Sequence, residues 1–141
     1  MRRFSLLLLL VAGLLLSGCA TLTGGETANL PQITERFTES MRWKDWYGAA
    51  KFVKAEQRPA FFEQFKEDPD LFVVDSRIQN IHPGADEGTA EVVYQLEYYR
   101  LPSSRIERWT WEQQWQKQPS RFAAETVWLI SEPPPLLPWN R

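Results

Sequence analysis

Apolar positions along this chain change their period at about residue 70. Before it, Ile33, Phe37 and Met41 recur at i, i+4 and i+8, which places them on one face of a helix. Pro31 suits the first turn of that helix, where its missing N–H costs nothing. Gly48 interrupts, and Ala49-Ala50 with Phe52-Val53 continue an apolar helical face. Pro59 opens a further short helix carrying Phe61, Phe62 and Phe65, and Asp68-Pro69-Asp70 ends it. Leu71 to Ile81 is rich in β-branched and aromatic residues, as in a strand, and His82 to Gly88 reads as a turn. In the next strand Ala90, Val92, Tyr94, Leu96 and Tyr98 alternate with Glu91, Gln95 and Glu97. Leu101 to Ser104 connects it to a strand from Ile106 to Lys117. There Trp109, Trp111 and Trp115 alternate with Arg108, Thr110, Glu112 and Gln114. Gln118-Pro119-Ser120 turns the chain into a last strand, Arg121 to Ile130. A period of two means one buried and one wet face, and turns this short require antiparallel neighbours. The pattern therefore predicts an α+β fold: N-terminal helices packed on a bent four-stranded antiparallel meander. With Pro102 to Arg105 as the connection, the expected pairs are Tyr98 with Trp109 and Leu96 with Trp111.

The N-terminus follows a different pattern. Arg2 and Arg3 precede an uncharged, Leu-rich run from Phe4 to Leu16. As a helix it would span about 20 Å, short of the roughly 30 Å hydrocarbon core, and so fits the apolar region of a signal peptide. Leu16-Ser17-Gly18-Cys19 follows directly. This tetrapeptide resembles the lipobox of bacterial lipoproteins. The resemblance implies cleavage between Gly18 and Cys19 and a diacylglycerol on the Cys19 thiol. The acyl chains would then hold the protein on a membrane. Ala20, where an Asp often signals inner-membrane retention, implies the periplasmic leaflet of the outer membrane if the source is Gram-negative. The expected division is a signal peptide over 1–18, a Gly- and Thr-containing tether over 19–30, a domain over 31–130 and a Pro-rich tail over 131–141.

The mature domain, from about Ile33 to Ile130, resembles the nuclear-transport-factor-2-like (cystatin-like, cone-shaped) superfamily. The resemblance rests on element order and on Tyr98-Tyr99-Arg100-Leu101-Pro102-Ser103 leading into Trp109-Thr110-Trp111. It implies a sheet curled over the helices. Enzymes of that superfamily place an Asp with a His or Tyr inside the cone. Here the sole histidine, His82, falls in the expected turn, so no catalytic role is carried over.

Composition narrows the function classes. A chain of 141 residues with 24% charged and 43% hydrophobic residues suits one small globular domain. The net charge of −2 gives no electrostatic footprint for nucleic acid. One Cys and one His exclude a disulfide framework and most zinc sites. No cofactor motif or metal cluster is present in the sequence, and no nucleophile stands with a base. Glu112 shares a strand face with Arg108 and Thr110, which reads as solvent-facing, with an Arg108–Glu112 surface ion pair. The aromatics Tyr94, Tyr98, Trp109, Trp111 and Trp139 either fill the core or line a cavity for an apolar ligand. Ser131 to Trp139 holds four prolines and reads as an extended strip. Its Leu136, Leu137 and Trp139 fold back on the domain or dock on an envelope partner, the remaining alternative being a disordered tail. The expectation is a lipid-anchored envelope protein acting as a non-enzymatic binding or structural module. The alternatives are a carrier of a small apolar ligand and an enzyme using the same cavity.

Overall fold

The computed structural model describes residues 29–120 and 126–140. The signal-peptide and lipidation expectations, including Gly18 and Cys19, lie outside the described residues, as do nearly all of the tether and residues 121–125 of the last strand.

Among the described residues three short helices come first: α1 (Leu30–Arg42), α2 (Trp46–Ala50) and α3 (Arg58–Gln64). Pro31 and Pro59 stand in the first turns of α1 and α3, as the sequence pattern predicts. Asp45 caps α2, its carboxylate accepting a hydrogen bond from the Gly48 N–H at 2.8 Å. A 3-10 turn at Ala55–Gln57 leads into α3. Four strands follow: β1 (Leu71–Pro83), β2 (Thr89–Arg100), β3 (Glu107–Pro119) and β4 (Thr126–Ile130). Each pairs antiparallel with the next in the order β1-β2-β3-β4, so the fold is α+β with a meander. The sheet curls around the helices. Register shifts at Val73/Asp75 and Ile78/Asn80 bend β1, because a bulge sharpens the local twist.

Phe37 of α1 fills the concave side. Its ring meets Tyr94, Trp111 and Trp115 edge-on, with centroids 5.4, 6.2 and 6.1 Å away. Edge contacts of this kind suit the aromatic quadrupole. Ala90, Val92, Tyr94, Leu96 and Tyr98 are buried on one strand and Trp109, Trp111 and Trp115 on the next, which is the face assignment read from the alternation. The pairing differs by two residues. Leu96 opposes Trp109, Tyr94 opposes Trp111, and Tyr98 opposes Glu107. Tyr98 with Glu107 is the last pair, so Tyr99 and Arg100 run past β3 and pair only with β1; the strands slide by two residues and parity survives.

His82 also differs from expectation. It belongs to β1, opposite Glu91, because pairing continues to Pro83 before the turn. Gly88 in that turn takes φ +73°, the left-handed region that glycine enters without steric cost. After β4 the chain folds back on the domain. Pro134 and Leu137 are buried, Trp139 lies over Tyr98 with centroids 4.3 Å apart, and a 3-10 turn closes the tail at Pro138–Asn140.

Candidate functional site

The aromatics singled out in the sequence divide into two groups. Tyr94, Trp109 and Trp111 are packed against helix side chains and one another, within the core. The Tyr94 hydroxyl shares a 2.9 Å hydrogen bond with Ser76 Oγ. Burial holds its proton well above the usual phenol range. Tyr98 and Trp139 meet at the rim, beside a small cavity of about 190 Å³ also bordered by Arg100, Ser103, Arg105 and Glu107. The Tyr98 hydroxyl donates to Glu107 at 2.9 Å. Desolvation, reinforced by that carboxylate, pushes its pKa up to about 12.

Polar side chains inside the fold are few. Gln113 points into the core beside the tryptophans, fully buried. Its Oε1 accepts from Trp115 Nε1 at 2.8 Å, while its Nε2 has no partner. Position 113 lies on the same strand face as Trp109, Trp111 and Trp115, but the sequence reading did not single it out.

The remaining candidates stand apart. His82 and Glu112 are both exposed, on strands separated by β2. Arg108 pairs with Glu97 across the β2–β3 ladder at 2.9 Å, not with Glu112. Directly opposed side chains lie about 5 Å apart, whereas residues four apart on one strand lie about 13 Å apart, which decides the partner. Glu97 also takes Arg77, which joins Asp75, which joins Arg42. This chain of charges lies across the outside of the sheet. Among the described residues no group of three His, Cys, Asp or Glu side chains is placed to hold a metal ion.

A larger concavity lies elsewhere, along the outer edge of β4. It measures about 690 Å³ and is walled by α1, the segment after α2, and β4 itself. Ile33, Phe52, Val127 and Leu129 supply its apolar lining, and Arg36, Lys51 and Arg58 its positive charge, against a single Glu56. The Arg58 Nε is held by the carbonyls of Ala50 and Val53, at 3.0 and 3.1 Å. Trp128 lines the groove too, and its buried indole N–H has no acceptor.

At one end of the groove the edge of β4 is already paired. The Ile130 N–H donates to the Phe52 carbonyl at 2.8 Å, and the Lys54 N–H to the Ile130 carbonyl at 2.9 Å, forming a parallel bridge of Val53 with Ile130. Both main-chain groups of Ile130 therefore point outward. Strand periodicity points those of Trp128 and Thr126 the same way. No backbone partner meets them there among the described residues. Sequence reading missed this groove, because its basic residues are single charges scattered over three elements.

Searches against protein-family models, curated proteins and solved structures find nothing that matches this chain.

Proposed function

We propose that this chain is a lipid-anchored cell-envelope protein that serves as a binding or structural module. The observation that carries the reading is Leu16-Ser17-Gly18-Cys19 directly after an uncharged apolar run. Residues 20–29 separate Cys19 from α1, and fully extended they reach about 34 Å, enough to hold the domain clear of lipid headgroups. Ala20 favours the outer membrane of a Gram-negative cell. The order of helices and meander strands supports a place in the nuclear-transport-factor-2-like superfamily.

Binding is favoured over carriage of an apolar ligand because Phe37 occupies the concave face where such a ligand would sit. It is favoured over catalysis because the exposed His82 and Glu112 lie on strands separated by β2, with no shared site for a reacting atom.

The test is the mass of the denatured protein isolated from bacterial membranes. The expected product begins at Cys19 and carries acyl groups, while Cys19→Ser accumulates as an unprocessed, non-acylated precursor. Mature Cys19→Ser protein that still stays with membranes through a high-salt wash would overturn the anchor.

A further inference from the structure

We propose that the groove along the outer edge of β4 is a docking site for an extended, acidic segment of a partner protein, which adds to the sheet as a fifth strand. This deepens the reading of the chain as a binding module and is independent of the lipid anchor.

The first argument is the main chain. An edge strand with free N–H and C=O groups is a template for another strand. Proteins commonly protect such edges with bulges, prolines or charged side chains. The opposite edge, β1, has two bulges, and Arg42 and Lys44 reach its carbonyls at Ser76 and Leu71. The outer edge of β4 has Val127 and Leu129 and no charged residue from Thr126 to Ile130. The chain's own segment at Phe52–Lys54 already forms two strand-type bonds to Ile130, then diverges into the helical region. Among the described residues no other backbone pairs with the outer edge from Thr126 to Leu129, a stretch of about 13 Å.

The second argument is charge. Arg36, Lys51 and Arg58 against Glu56 make the groove positive in a chain whose net charge is −2. Neither Arg36 nor Lys51 forms an ion pair among the described residues. Acidic side chains on the added strand would meet them. Apolar side chains in alternate positions would lie on Ile33, Phe52 and Val127. A lipid chain would satisfy the apolar lining but not the outward backbone groups of Thr126 and Trp128, which favours a peptide.

The test uses the full chain purified in detergent and two fluorescent heptapeptides, one alternating Glu and Val, the other Lys and Val. Fluorescence anisotropy should show the Glu peptide binding at least about tenfold more tightly. Thr126→Pro removes one outward N–H without touching the β3 ladder, and Arg36→Glu with Lys51→Glu reverses the charge. Each should weaken binding about tenfold or more, while Lys66→Glu, away from the groove, should leave it unchanged. Bound peptide should slow hydrogen exchange at the Thr126 and Trp128 amides. The proposal is overturned by equal binding of the two peptides, by no binding, or by binding that ignores Thr126→Pro. It is equally overturned if those amides are protected in the free chain, since its own residues then fill the edge. Phosphatidylglycerol vesicles that displace the Glu peptide and themselves protect the two amides would assign the groove to lipid instead. Failure of the anchor would appear only in the mass at Cys19, so the two readings fail separately.

Discussion

Lys44 holds a backbone φ of 56°, a left-handed conformation that follows α1 and is usually given to glycine. Its ammonium repays the strain by donating to the carbonyls of Asp68 and Leu71 at 3.2 and 2.9 Å. These bonds tie the end of α1 to the start of β1. Lys44→Ala keeps the strain and loses both bonds, so it should cost about 1–2 kcal/mol in urea melts. Lys44→Gly loses the same bonds but relieves the strain, and should be about 1 kcal/mol less harmful than Ala. The reverse order would show that the left-handed backbone carries no strain, and a harmless Lys44→Ala would show that the ammonium contacts contribute nothing. The two shifted tyrosines make a second prediction. Their protons are held more tightly in the fold than in the unfolded chain, where the pKa is near 10. Below pH 10 both states are protonated and the stabilisation is complete. As pH rises from 10 through 12 the unfolded chain releases its protons first, so stability must fall. Urea midpoints should drop across that window, and Tyr98→Phe should make the drop shallower.

At the scale of elements, the faces of β2 and β3 carry the argument. Trp111 is buried against Phe37 and Trp109, so Trp111→Ala empties a large volume and should cost about 3–5 kcal/mol. His82→Ala and Glu112→Gln change exposed positions and should each alter stability by about 1 kcal/mol or less. Both should also leave complementation of a deletion strain intact. Loss of complementation at an unchanged urea midpoint would place a polar site on the sheet. The alternation of apolar and polar residues was enough to assign these faces, since burial decides which side of a strand is apolar. It was not enough to set the register. Sliding by two residues keeps every side chain on its face, so the pattern is blind to it; in the fold Tyr99 and Arg100 overhang β3 and pair with β1 alone.

For the whole molecule, the tail closes the fold. Leu137 is fully buried in the core cluster, and its N–H donates to Gln64 Oε1 at 3.0 Å. Asn140 donates to the Gln64 carbonyl at 2.8 Å, so the tail is fastened to the end of α3. Leu137→Ala should therefore cost about 2–4 kcal/mol, the loss expected of a core leucine. Leu136→Ala, at a position 60% exposed, should change little. Equal, small effects in urea melts would mean that the tail docks without contributing to stability.

The sequence by itself determined the helices, the four strands, their antiparallel order and the buried faces, because each follows from local periodicity and short connections. It also held the Leu16-Ser17-Gly18-Cys19 pattern, a local signal that requires no fold to be read. Tertiary structure alone decided the strand register, the partner of Arg108, the placement of Leu137 and Trp139 on the core, and the groove along β4. Each of these depends on groups far apart in the chain. Arg36, Lys51, Arg58 and Trp128 become neighbours only when α1 and the segment after α2 pack beside the last strand. No local period records such a meeting, because it is set by how the curled sheet and the helices fill space together.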